Sequence, residues 1–180
     1  MAQRLSACSD SSGEDCRDEF LSHPSDNGEP IHSLLQHSID VAVRARDLLS
    51  HTGFQNPELG YFSGLLHDLG KLSPYYQILF RTDKSKREAK QNELIQKYAP
   101  VHSPYSAWMA DKLLKIDKCI DYTLLDRIIT LIYRHHTRLQ RSIAEGDIEN
   151  SERFRTTQQE MYKNISRFYQ ITSQTPEFSN

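Results

Sequence analysis

The chain sets a histidine–aspartate pair inside an apolar run, Gly64-Leu65-Leu66-His67-Asp68-Leu69-Gly70-Lys71. A carboxylate among leucines is tolerated only when cations or hydrogen-bond donors meet it, so the fold has to bring partners to Asp68. Candidate partners recur in similar surroundings. His37, His102 and the doublet His135-His136 all lie in or beside segments with helical apolar spacing. Neighbouring residues on a helix project about 100° apart, so His67 and Asp68 serve one cation only if their helix turns an edge or an end toward it. Gly64 and Gly70 flank the pair and permit another backbone to approach closely.

The remaining pattern predicts an all-α fold. Leu35, Ile39, Ala42, Val43 and Leu49, widened by Leu34, Val41 and Leu48, outline a helix apolar over much of its circumference and therefore central. Gly53 and Asn56-Pro57 end it and start a second helix running to about Gly70, read as its C′ glycine. Ser73-Pro74 opens a short helix through Phe80. Ser103-Pro104 reads as N-cap and first residue of a helix bearing Tyr105, Trp108, Met109, Leu113 and Ile116. Leu124, Leu125, Ile128, Ile129 and Ile132 mark another, and Phe154, Met161, Ile165 and Phe168 a weaker last one. No segment alternates with period two. One helical domain over residues 30–172 is expected, between a mobile acidic tail at 1–29 and a short tail at 173–180. Phe20 and Leu21 are the first candidate anchors of the N-terminal tail.

Composition narrows the function classes. No apolar run approaches the roughly 18–20 residues of a membrane span, so no membrane association is expected. The N-terminus lacks a basic stretch followed by an apolar one, so no secretory signal is expected. Cys8, Cys16 and Cys119, irregularly spaced, make neither a disulfide framework nor a cysteine-rich zinc site, and the reducing cytoplasm is the expected compartment. The net charge of −2 conceals −5 over residues 1–30 and +3 over the rest, so only local patches bear on nucleic acid. The candidates are the basic segment 81–97 and Arg134, Arg138 and Arg141 around the histidine doublet. A short charge run is more often a solvated helix face. Tyr75, Tyr76 and Phe80 are candidate base-stacking rings, although aromatic residues at that spacing more often fill a core.

Taken singly, each histidine has an ordinary explanation. A lone buried histidine is more often hydrogen-bonded in a core than a ligand. The His135-His136 doublet alone suits a helix C-terminus. His23, His32 and His51 are assigned to the tail, a helix start and a helix end. The set carries more. "LLQHSIDVA" around His37, "GLLHDLGK" at 64–71, "HSPYSA" from His102 and "YRHHT" at 133–137 together resemble the HD superfamily of metal-dependent phosphohydrolases. More narrowly, they are similar to the HD nuclease of type I CRISPR systems, as a separate subunit or as the nuclease half of the helicase–nuclease. Ser22, His23, Pro24, Gly28, Glu29 and Pro30, leading into the first helix, resemble the same group. The likeness covers about residues 20–140.

The resemblance implies a site with one or two divalent transition-metal ions. His37, His67 and Asp68 would hold one, and Asp68 would bridge to a second held by His102, His135 and His136. Mixed imidazole and carboxylate ligation suits Mn²⁺, Fe²⁺, Co²⁺, Ni²⁺ or Zn²⁺ better than Mg²⁺. In two-metal phosphodiester chemistry the ions generate a hydroxide and clamp the attacking and leaving oxygens. Lys71, one turn from His67, would neutralise charge on the scissile phosphate, or serve as a helix C-terminal cation. The family adds an aspartate from a late helix. After Asp126 this chain has only Asp147, in a glycine-containing loop soon after the doublet. Either Asp147, carried over as a metal ligand, fills the role, or a late glutamate such as Glu152 or Glu160 does, or the ligand is missing and one metal alone is held firmly.

The activity implied is metal-dependent cleavage of DNA, single strands preferred, in CRISPR antiviral interference. The partners implied are a CRISPR helicase subunit and a crRNA-guided surveillance complex, since the chain carries no P-loop or helicase motif. Two other readings share the fold. One is an HD phosphohydrolase acting on nucleotides or cyclic nucleotides. The other is a degenerate HD module that binds partners or DNA without cleaving.

Overall fold

The computed structural model describes residues 20–24, 32–114, 121–136 and 152–173. These hold α1 Leu34–His51, α2 Glu58–Leu66, α3 Pro74–Phe80, α4 Arg87–Lys97, α5 Ser103–Leu114, α6 Tyr122–Arg134 and α7 Glu152–Ser173. Short 3-10 turns lie at Leu69–Leu72 and Lys84–Lys86. Among the described residues there is no strand, only an isolated antiparallel bridge between Leu21 and Ser33. The fold is all-α, as the periodicity predicts. No described helix is long and apolar enough to cross a membrane. Cys8, Cys16, Ile116, Cys119, Arg138, Arg141, Asp147 and most of both expected tails lie outside the described residues, as does the Phe154 side chain.

Local chemistry starts several helices. The Ser33 hydroxyl accepts the Gln36 N–H at the head of α1, and the Asp121 carboxylate accepts the Thr123 and Leu124 N–H groups at the head of α6. Pro74 opens α3 behind an extended Ser73. At α5 the cap falls one residue earlier than expected. The helix begins at Ser103, and the carbonyl of His102 accepts its first bond, from the Ser106 N–H at 2.8 Å. His102 therefore stands at a helix end.

Two expectations are corrected. The first helix is not central. Its buried stripe is Leu34, Ser38 and Ala42, and Leu48 is 65% exposed. The core centres on Tyr105, Met109 and Ala110 of α5, Ile128 and Ile132 of α6, and Met161 of α7. Small residues explain how α1 is held without thick side chains. A Cβ on Gly60 would come within 2.7 Å of the Ala45 carbonyl, and one on Gly64 within 2.8 Å of the Ala42 backbone. The two backbones touch directly. Gly64→Ala is therefore expected to lower the unfolding free energy by about 1–3 kcal/mol through overpacking. Urea unfolding measures it, and an unchanged midpoint would mean that α1 is free to move off α2.

The second correction concerns Gly70. Helix α2 stops at Leu66, and Gly70 lies inside the 3-10 turn. Among the described glycines the positive φ belongs to Gly53, at 72°. The close approach of another backbone expected at Gly70 is borne out, since a Cβ there would overlap the His102 carbonyl.

The segment before α1 packs onto this turn. Phe20, Leu21 and Ser22 are buried. The Gln77 side chain pairs with Leu21 as a strand would, accepting its N–H and donating to its carbonyl, both at 3.0 Å. From the other side, Asn164 of α7 donates to the Leu72 carbonyl at 2.6 Å.

Candidate metal centre

Four helix ends converge on one carboxylate. Asp68 sits in the turn after α2 and is 2% exposed. Its Oδ2 lies 3.2 Å from His37 Nε2, 3.2 Å from His67 Nε2 and 2.7 Å from Lys71 Nζ. Its Oδ1 lies 3.3 Å from His102 Nε2 and 3.7 Å from His135 Nε2. Exposed His136 completes this second group, its ring centroid 4.7 Å from that of His102 and 4.2 Å from that of His135. His67 and Asp68 stand at the end of α2, as an edge or end turned toward one cation requires.

Hydrogen bonds on the far side of two rings settle which nitrogen faces the carboxylate bare. His67 Nδ1 is 2.7 Å from the Gly64 carbonyl, and His135 Nδ1 is 2.6 Å from the Ile132 carbonyl. A carbonyl only accepts, so each Nδ1 carries hydrogen, and in the neutral ring each Nε2 presents a lone pair to Asp68. Burial pushes the His37, His102 and His136 pKa values down, the first two against the pull of Asp68 and the last with help from His135 and His102.

Asp68 is thus ringed by imidazole nitrogens, with Oδ1 buried and without a hydrogen-bond partner. Lone pairs facing lone pairs repel unless cations lie between them. The donor types, imidazole and carboxylate, are those of transition-metal sites, with the second ring nitrogens anchored to carbonyls as such sites require. Two sets result, His37 with His67 and Asp68, and Asp68 with His102, His135 and His136, the candidate ligand atoms of each lying within 4.8 Å of one another. Asp68 belongs to both and turns a different oxygen to each.

The structure thus gathers the six histidine and aspartate positions singled out at 37, 67, 68, 102, 135 and 136. Lys71 is buried, its ammonium donating to Asp68 and, at 3.0 Å, to the Ser22 carbonyl. Asp147 lies outside the described residues. Neither candidate substitute belongs to either set. Glu152 is exposed, and Glu160 pairs with Lys163 at 3.0 Å.

Of the candidate stacking rings, Tyr75 and Phe80 are buried, and Tyr76 packs edge-on to His102. The basic segment 81–97 is largely exposed and partly self-paired, with Lys90 on Glu93 at 2.7 Å. Arg134 is exposed at the end of α6.

Sequence reasoning missed two supports. His23, assigned to the tail, places its ring edge-on to His37 at 5.2 Å. The available signal was its place in the "SHP" approach. Ser106 accepts the buried Gly70 N–H at 2.7 Å and so ties the turn to α5. Nothing local to Ser106 marked it.

The doublet offers a separable test. His135→Ala combined with His136→Ala is expected to lower bound metal by one ion while leaving the thermal midpoint nearly unchanged. Elemental analysis checks this, and full metal content in the double variant would return the doublet to the surface.

A family model described as Cas3, HD domain, matches residues 22–179 of this chain. Comparison with curated proteins and with solved structures finds no match.

Proposed function

The chain belongs to the Cas3 HD domain family, and on that footing we propose that it is a nuclease hydrolysing phosphodiester bonds of single-stranded DNA in CRISPR interference. Membership itself makes it a CRISPR-associated HD domain, of a superfamily of metal-dependent hydrolases. The observation that supports the finer reading most is Asp68, placed between two imidazole sets with one oxygen toward each.

His37, His67 and Asp68 are the residues to hold one cation, and Asp68, His102, His135 and His136 a second. Bound there, divalent cations supply Lewis acidity to phosphate oxygens and lower the pKa of water. The nitrogen-rich set favours Mn²⁺, Fe²⁺, Co²⁺, Ni²⁺ or Zn²⁺ over Mg²⁺. Lys71 neutralises and orients Asp68, and its charge reaches a nearby phosphate from behind that carboxylate. Asp147 is carried as the remaining carboxylate ligand.

Exposed His136 and the His37 side chain, 26% exposed, leave the site open at its edge. An open edge suits a strand passing across it better than a mononucleotide that must be enclosed. A helicase subunit and a crRNA-guided complex would deliver that strand, in the cytoplasm.

The test is incubation of circular single-stranded DNA with Mn²⁺, Co²⁺ or Ni²⁺, beside duplex DNA, RNA, deoxynucleotides and cyclic nucleotides. Metal-dependent opening of the circle is expected. Nucleotide hydrolysis without DNA cleavage would replace this reading by the nucleotide phosphohydrolase. Silence from fully metal-loaded protein on every substrate would replace it by the non-cleaving module.

A further inference from the structure

We propose that Tyr76 is a positioning residue for the second metal subsite: its hydroxyl fixes the tautomer of His102, so that Nε2 faces Asp68 as a bare donor. The inference rests on reading the Asp68 cluster as a metal centre.

The histidines differ in what holds the hydrogen on Nδ1. His67 and His135 each follow a helix, and each uses the carbonyl three residues back to hold hydrogen on Nδ1. His102 precedes its helix. It stands at the N-terminal end of α5 and has no preceding helical turn to offer that carbonyl. An oxygen has to come from elsewhere in the chain.

Tyr76 of α3 supplies it. The Tyr76 hydroxyl donates to the Pro100 carbonyl at 3.1 Å, and His102 Nδ1 lies 3.3 Å from the same hydroxyl oxygen. A phenol has one hydrogen and an oxygen that also accepts. Pro100 can only accept, so the hydrogen goes to Pro100 and the oxygen turns a lone pair to His102. Nδ1 must then be the donor, and in the neutral ring Nε2 is the bare nitrogen. That nitrogen is the atom 3.3 Å from Asp68 Oδ1 and 3.2 Å from His135 Nε2.

The hydroxyl is held in place by its own ring. Tyr76 packs perpendicular to His102 at 5.2 Å between centroids, and against Phe80 at 5.6 Å and Tyr75 at 5.0 Å. Tyr76 touches neither carboxylate oxygen, so it acts through His102. Of the three aromatic residues after the HD turn, it is the one whose polar end reaches the metal set.

Tyr76→Phe removes the hydroxyl and keeps the ring contacts. Two readouts test the proposal in the full chain. The first is long-range ¹⁵N–¹H NMR of the His102 ring in metal-free protein. The Nδ1–H tautomer is expected in the wild type, and a shift toward Nε2–H in Tyr76→Phe. An Nε2–H ring in the wild type, or one unmoved by the substitution, overturns the proposal.

The second readout is calorimetric titration with Mn²⁺. Outer partners of metal-bound histidines are typically worth about 10–100-fold in affinity. The variant is expected to bind one ion as the wild type does and the other at least about tenfold more weakly. Two unaltered affinities overturn the proposal, and so does equal weakening of both, the mark of a merely structural role. A wild type that takes up no metal would instead defeat the metal-centre reading, and the tautomer result would still decide the part played by Tyr76.

Discussion

Asp68→Ala is expected to empty both metal subsites together and to abolish DNA cleavage. Each subsite loses a different oxygen of the same side chain, so no partial phenotype is available. The loss should exceed the roughly 10–100-fold that follows removal of an outer-shell partner. The substitution also carries a structural cost. It leaves the Lys71 side chain, 9% exposed, without its counter-charge, and breaking a buried pair from one side costs about 3–5 kcal/mol. Asp68→Asn separates the two effects. The amide keeps the shape and an oxygen for Lys71 but has no negative charge to share between cations. Folded, metal-free and inactive protein is the expected result for Asp68→Asn, by circular dichroism, elemental analysis and cleavage of circular single-stranded DNA. A folded variant with wild-type cleavage would remove Asp68 from the chemistry.

Gly70→Ala is expected to be the most disruptive added methyl among the described glycines. The added carbon would overlap the His102 carbonyl, which is also the acceptor that starts α5. Relief requires the HD turn and α5 to separate, and separation stretches the buried bond from the Gly70 N–H to Ser106. Overpacking of about 1–3 kcal/mol and a buried donor left unsatisfied, about 1–3 kcal/mol more, act together. A loss of about 3 kcal/mol or more in urea unfolding is expected. The metal effect should be lopsided, because His102 moves with α5 whereas His37 and His67 do not depend on that contact. Bound metal should fall toward one ion per chain. Stability and metal content equal to the wild type would show that Gly70 is not a spacer.

The two predictions mark what can and cannot be read along the chain. The convergence of His37, His67, Asp68, His102, His135 and His136 on one cluster was expected from the family resemblance their motifs carry. Their order along the chain carried the family resemblance. The helices were legible from apolar spacing and from Asn56-Pro57 and Ser73-Pro74 at their starts. Gly70 is legible as a point of close backbone approach, while its reading as a helix C′ residue fails for a physical reason. A glycine after an apolar run looks the same whether it turns the chain or admits another backbone, and the backbone it admits lies 32 residues on, at His102.

Apolar content is a poor measure of the depth of α1. Ala42 and Gly64 bring α1 and α2 together through smallness, and the remaining apolar residues of α1, Leu48 among them, need not be covered. Local pattern leaves Tyr76 two uses, base stacking and core. Its real neighbour, 26 residues away, is invisible to local pattern. Phe20 and Leu21 are buried, as expected of the first anchors of the N-terminal segment, and His23 two residues on is carried with them to His37, a placement its polar surroundings do not mark.

The most direct measurement is an anomalous difference map from crystals grown with Mn²⁺. The account predicts two peaks about 3.5–4 Å apart, one beside Asp68 Oδ2 with His37 and His67, the other beside Oδ1 with His102, His135 and His136. Loaded protein whose peaks lie away from Asp68, or whose cations do not share its carboxylate, would contradict it.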